Sequence, residues 1–285
     1  MTAVSPWAHK SLELEVDGIS LSIDTLVREA PAAPVVFLHG FGSTKEDYAD
    51  FVRVPGLADH GFIAYDAPGF GRSRSSDPAR VSILFLVDVA LAVLDRLGVD
   101  RFHLVGHSMG GLTALLLADR HPDRVLSFVD IEGNVAPEDC FLSRQIVDHA
   151  AEDPAVFLEG FAARAHTAAE FSSALYASNV QSKVDPAVVR GVFESMVDLS
   201  DRGDLMTRFT GLPCPRMFMY GEQNATLSYL PTLKEHGVEL AEVPLSGHWP
   251  MYANPVAMWT EIAGFLDRHF CGSGSTPATP HLGDR

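Results

Sequence analysis

The sequence predicts an α/β architecture: a mostly parallel sheet of eight strands with helices on both faces, interrupted once by an inserted helical segment. Three observations predict it. Short apolar runs alternate with helix-period stretches from residue 34 to residue 131, the cadence of strand, crossover and parallel strand. That cadence stops after Ile131, and the chain reads as helical to Phe209 before a strand pattern resumes at Arg216. A serine flanked by glycines, Gly106-His107-Ser108-Met109-Gly110, stands where one apolar run ends and a helical pattern begins.

The elements follow in order. Ser11–Val16 and Ile19–Val27 alternate apolar and polar side chains around Asp17-Gly18, as an antiparallel strand pair does. Pro34–Leu38 is a short apolar run suited to a buried parallel strand. A helical pattern covers Lys45–Asp59, and Gly61–Tyr65 is the next strand. Val81–Leu97 has the apolar spacing of a long amphipathic helix closed by Gly98. Arg101–Val105 is a strand, Leu112–His121 a helix stopped by Pro122, and Leu126–Ile131 a strand. Inside the insertion, helices are expected at Cys140–Glu152, Pro154–Ala163, Ala168–Ser178 and Pro186–Leu199. Arg216–Tyr220 and Glu239–Val243 then read as strands, Leu227–His236 and Asn254–His269 as helices. The expected division is a core of residues 1–136 and 210–270, a helical cap of 137–209, and a disordered tail of 271–285 rich in Gly, Ser, Thr and Pro. A cap in that place lies over the C-terminal strand ends, where open α/β sheets bind ligands.

The 285 residues carry 47% hydrophobic and 20% charged side chains, the ordinary balance of a soluble globular protein. A net charge of −16 argues against nucleic-acid partners and anionic membranes. Cys140, Cys214 and Cys271 are widely spaced and odd in number, so neither a disulfide framework nor a zinc site is expected. Reduced thiols, no apolar leader segment in the first 17 residues and no apolar run of membrane-spanning length fit a cytoplasmic protein, monomeric or homodimeric.

A serine hydroxyl becomes a useful nucleophile only beside a general base and donors for the developing oxyanion. His248, in Ser246-Gly247-His248-Trp249-Pro250, follows the last strand and is the expected base. His39-Gly40-Phe41-Gly42-Ser43 follows an earlier strand, and the Phe41 and Met109 backbone amides are the expected oxyanion donors. With Asp66-Ala67-Pro68-Gly69-Phe70-Gly71-Arg72-Ser73, these motifs make residues 10–270 resemble an α/β-hydrolase-fold serine hydrolase.

The resemblance implies a third catalytic group, an acid, on the strand after the cap, in a Gly-x-x-Asp motif. Here that motif reads Gly221-Glu222-Gln223-Asn224, and an amide does not stabilise an imidazolium as a carboxylate does. Glu132, in Asp130-Ile131-Glu132-Gly133-Asn134 directly before the cap, is the expected replacement, as in family members that place the acid after this earlier strand. Asp130 and Glu222 are the alternatives, with Asn224 as a weak orienter of the histidine.

The expected reaction is hydrolysis of a carboxylic ester or lactone of a small-to-medium apolar substrate through an acyl-enzyme on Ser108, with no cofactor and no metal. Serine at this position argues against the dehalogenase and epoxide-hydrolase chemistry for which the family uses aspartate. Carbon–carbon bond or thioester hydrolysis, and a ligand receptor with little turnover, are the other readings. Trp249, Phe141 and Arg144 are the expected substrate contacts.

Overall fold

The computed structural model describes residues 7–149, 152–168 and 170–270, so the tail expected at 271–285 lies outside the described residues. Its strands are β1 (Ala8–Val16), β2 (Ile19–Arg28), β3 (Ala32–Leu38), β4 (His60–Tyr65), β5 (Arg74–Ser75), β6 (Phe102–His107), β7 (Val125–Ile131), β8 (Arg216–Gly221) and β9 (Glu239–Val243). Eight form one sheet in the order β1-β2-β4-β3-β6-β7-β8-β9. The sheet expected to have eight strands gains a short ninth, β5, which pairs antiparallel with β2. β1 and β2 form the antiparallel edge, β2 meets β4 antiparallel, and every pairing from β4 to β9 is parallel.

The central strands are covered on both faces, which is why they read as continuous apolar runs rather than alternating ones. Val35, Val36, Phe37, Leu104, Phe128, Val129 and Phe218 are fully buried. Helix α1 (Ile83–Arg96) starts at Ser82, whose hydroxyl accepts the Phe85 N–H, and buries a face of Val, Leu and Phe. Helix α2 (Met109–Arg120) is apolar almost all round and sits inside the fold. It begins three residues before its expected start, because its first turn is Met-Gly-Gly and propensity alone does not mark it as helix. The helix expected over Lys45–Asp59 is instead two 3₁₀ segments, Lys45–Arg53 and Pro55–Leu57, divided where Val54 turns extended ahead of Pro55.

Between β7 and β8 the described residues form a helical insertion: α3 (Gln145–Asp148), α4 (Pro154–His166), α5 (Phe171–Lys183), α6 (Val189–Arg202) and α7 (Leu205–Gly211). The first expected helix, Cys140–Glu152, breaks into a 3₁₀ turn, Pro137–Phe141, and the short α3. Two backbone bonds tie the end of α5 to the loop after β4: Gly71 N–H donates to Lys183 O at 2.8 Å, and Asp185 N–H to Gly69 O at 2.8 Å. The chain closes with α8 (Leu230–Glu235), α9 (Pro250–Ala253) and α10 (Pro255–Phe270). No helix among the described residues is long and apolar enough to cross a membrane. Cys140 and Cys214 are free and buried, and Cys271 lies outside the described residues.

The core also holds neutral histidine. His103 on β6 bonds Ser127 Oγ across to β7 at 2.9 Å, and burial, with His60 beside it, lowers its pKa to about 3. The unfolded chain takes up a proton near pH 6.5 and the folded chain does not until about pH 3. This contribution to stability is therefore complete above pH 6.5 and lost as pH falls. At pH 5 the loss is about 2 kcal/mol. Thermal midpoints at pH 7 and pH 5 check this: His103→Gln should reduce the acid-induced drop by roughly 4–8 °C.

Candidate active site

The site is assembled at the C-terminal ends of β3, β6, β7, β8 and β9. Ser108 lies between β6 and α2 with φ 52° and ψ −117°. A non-glycine residue adopts that conformation only where its surroundings enforce it. Two glycines permit the enforcement. A Cβ on Gly106 would lie 2.4 Å from Gly110 O, and one on Gly110 would lie 2.1 Å from Leu38 O. The elbow therefore presses the start of α2 against the end of β3, bringing the Met109 amide and the loop carrying Phe41 to one place. As the first residue of α2, Met109 has an N–H with no acceptor inside the helix.

The loop after β3 is fixed from behind. Ser43 N–H donates to Gly40 O at 3.1 Å. His39 donates through Nδ1 to Gly40 O at 2.8 Å and accepts the Ala67 N–H at Nε2, 2.9 Å, while burial lowers its pKa and keeps it neutral. Below the loop, the buried Lys45 ammonium contacts Asp24 at 2.8 Å, Asp66 at 2.8 Å and Glu46 at 2.9 Å. Burial alone would lower the Lys45 pKa, but the bonds to Asp24, Asp66 and Glu46 outweigh it and raise it. Asp66 also accepts the backbone N–H groups of Lys45 and Arg72. The Asp66–Ser73 motif thus joins the β3 loop, β2 and the end of α5.

Ser108 Oγ stands 3.1 Å from His248 Nε2, and His248 Nδ1 stands 3.5 Å from Glu132 Oε2. All three side chains are buried. The 3.5 Å separation is long for a hydrogen bond, as such contacts commonly are before substrate binds. His107, behind the serine, donates through Nε2 to the His248 carbonyl at 2.8 Å and is kept neutral by burial beside His248. Five described non-glycine residues have positive φ, and three of them, Ser108, Glu132 and Leu245, sit on the three loops that present this chain.

Of the carboxylates considered from the sequence, Glu132 is the one in contact with His248. Asp130 lies beneath the elbow against Gly111 and Gly133, where burial and then Asp139 raise its pKa well above the usual carboxylate range. Glu222 accepts the Leu245 N–H at 2.8 Å, holding the histidine loop from outside. Asn224 bonds Glu132 rather than the histidine: its Nδ2 lies 3.0 Å from Oε1 and 2.8 Å from Oε2.

Two cavities meet at His248. The inner one, about 20 Å³, is lined by Ser108, Phe41, Phe161, Tyr176, Phe193 and Met196 among others. The outer one, about 290 Å³, reaches Gln145, Arg164, Glu170 and Gln223. Trp249 and Phe141, the two expected substrate contacts, line both cavities. Arg144 lines neither. Its guanidinium pairs with Asp201 at 2.6 and 3.0 Å on the surface, away from both cavities. The sequence reading also passed over Asp139, which lines the inner cavity, accepts the Tyr229 hydroxyl at 2.7 Å and is raised by burial to about 6. The signal available for it was its place just after Ala136-Pro137, where its carboxylate accepts the Val135 and Ala136 N–H groups.

A family model described as "alpha/beta hydrolase fold" matches residues 33–191, more than half of the chain. The chain belongs to the α/β-hydrolase fold family. Within that family it is 27% identical over 260 residues to a dihydrolipoyllysine-residue acetyltransferase component of an acetoin cleaving system from Pseudomonas putida, a match covering 83% of this chain and 64% of that protein. The chain thus spans less than two thirds of that relative's length. Among α/β-hydrolase structures it is similar to a carboxylesterase of Nitrososphaera gargenis (TM-score 0.70, 20% identity, 90% of this chain and 98% of that one). It is also similar to an N-acyl homoserine lactonase (TM-score 0.69, 19% identity, 92% and 98%). At these identities the likeness is one of fold.

Lys45→Met should destabilise the protein by about 3–5 kcal/mol, because Asp66 and Asp24 would be left facing each other without a cation. Denaturant unfolding at neutral pH measures this, and a loss under about 1 kcal/mol would show that the cluster does not anchor the β3 loop.

Proposed function

We propose that this α/β-fold hydrolase is a serine hydrolase cleaving a carboxylic ester or lactone of a small-to-medium apolar substrate. One observation carries the proposal: the run Ser108 Oγ, His248 Nε2, His248 Nδ1, Glu132 Oε2, at 3.1 and 3.5 Å, on a strained elbow beside a cavity. His248 takes the Ser108 proton as Oγ attacks the carbonyl carbon. The Phe41 and Met109 amides receive the oxyanion. His248 then protonates the leaving oxygen, the acyl group remains on Ser108, and a water deprotonated by His248 releases the acid. Glu132 orients the imidazole and offsets its positive charge during both steps.

The two cavities support a division of the substrate into two halves. Ser108 and Phe41 line the inner cavity, so the acyl part faces it, and its roughly 20 Å³ favours a short acyl group. His248, which hands its proton to the leaving oxygen, lines both, so the departing alcohol faces the outer cavity with its polar rim. Phe41 packs on Phe193 with ring centroids 4.4 Å apart, and Tyr176 stacks on Trp249 at 4.6 Å, so the acyl side is narrow and aromatic.

Treatment with a fluorophosphonate probe should label Ser108, located by peptide mass spectrometry, and Ser108→Ala should abolish labelling and turnover with its thermal midpoint nearly unchanged. A folded protein that resists labelling is a ligand binder, not this enzyme. Glu132→Gln should lower kcat by roughly 10³- to 10⁴-fold. Across p-nitrophenyl esters, kcat/KM should be highest for short acyl chains and fall for long ones. A rise toward long chains would refute the assignment of the inner cavity to the acyl group.

A further inference from the structure

Position 224 is where the expected acid is missing, and its side-chain amide donates to Glu132. Nδ2 of Asn224 straddles the Glu132 carboxylate, 3.0 Å from Oε1 and 2.8 Å from Oε2. The Gly221 N–H donates to Oε1 at 2.7 Å. Both donors come from one turn, Gly221 through Asn224, at the end of β8. That turn is itself bound to the histidine loop, through Gln223 N–H to Ser246 O at 3.1 Å and Leu245 N–H to Glu222 Oε2 at 2.8 Å.

We propose, building on the serine-hydrolase reading above, that Asn224 is a positioning residue for the Glu132 carboxylate, fixing which way Oε2 faces His248. The last torsion of a glutamate is soft and roughly two-fold. Gly221 anchors Oε1 alone, so the carboxylate can still turn about that anchor. Oε2 is the oxygen that meets His248, and its other hydrogen-bond partner is Asn224. Removing the amide frees the torsion and leaves Oε2 held by the histidine alone.

The same geometry explains why the residue is an amide. A carboxylate at 224 would stand about 3 Å from that of Glu132, and two carboxylates that close share a proton rather than both ionising. With the acid at 132, position 224 must donate. Asparagine is the aspartate-shaped side chain that does.

The test uses the full-length protein, an ester substrate, and the variants Asn224→Ala, Asn224→Asp, Glu132→Gln and Glu132→Gln/Asn224→Ala. Asn224→Ala should lower kcat by about 10- to 100-fold with KM changed by less than about threefold, the pattern of a lost transition-state interaction. In the Glu132→Gln background, Asn224→Ala should cost less than about a further twofold, since both act through one carboxylate. Asn224→Asp should move the acid limb of the kcat/KM profile upward by about one pH unit or more, an effect that loss of packing does not produce. Asn224→Ala within about twofold of wild type, independent losses in the double variant, or an unmoved limb in folded Asn224→Asp would each overturn the proposal. If Asn224→Ala fails to fold, the isosteric Asn224→Asp carries the test. Near-normal turnover in Glu132→Gln would instead overturn the acid assignment, and this proposal with it.

Discussion

A buried carboxylate is costly unless hydrogen-bond donors surround it, and the Glu132 carboxylate is bound by groups from two other loops. Gly221 and Asn224 reach it from the end of β8, and His248 from the loop after β9. The backbone beneath it is bound as well, with Glu132 N–H donating to Met219 O at 2.9 Å. One charge therefore fixes the relative placement of three sheet loops. His107 adds a further tie, joining the serine elbow to the histidine loop through the His248 carbonyl.

That placement is bought with backbone strain. Ser108, Glu132 and Leu245 hold left-handed φ values near 50° that their side chains disfavour. Each costs on the order of 1–3 kcal/mol and persists only where neighbouring structure over-determines it. At Ser108 the constraint is the contact of α2 with β3, where Gly110 leaves no room for a Cβ against Leu38 O. At Glu132 it is the carboxylate and the backbone bond to Met219. At Leu245 it is the Glu222 carboxylate on its N–H. The strain and the hydrogen bonds are two sides of one arrangement.

Much of this was legible in the residues. The strand–helix cadence was legible because the central strands are buried on both faces and their apolar runs have sharp ends. Ser108, Glu132 and His248 were legible because each stands at the end of a strand that points to the same sheet edge. Asn224 was readable as a departure from the expected motif, but not as a donor to Glu132, because the direction of an amide depends on a partner 92 residues away in sequence. The Lys45 cluster drew no notice for the same reason: Asp24, Lys45 and Asp66 lie on three different elements. The surface pairing of Arg144 was not legible, because sequence proximity to Glu132 says nothing about Asp201, which comes from α6 and holds its guanidinium. Irregular segments were lost where local propensity was the sole guide, as in the 3₁₀ turns of Lys45–Arg53.

The exchange between positions 132 and 224 points to what the fold constrains. On the serine-hydrolase reading proposed above, a histidine on the loop after β9 needs a negative charge beside Nδ1, and either of two adjacent strand ends is placed to supply it. β7 and β8 are neighbours in the sheet, with Ile131 opposite Met219, so Glu132 and the turn at Gly221 arrive side by side. Where one end carries the carboxylate, a donor at the other suits it, since a second carboxylate that close would share its proton and two amides would leave the histidine without a counter-charge. Glu132 suits the earlier strand because its extra methylene and left-handed backbone carry the carboxylate across to the β8 turn. Asn224 suits the later one because its short amide reaches both oxygens from a single turn.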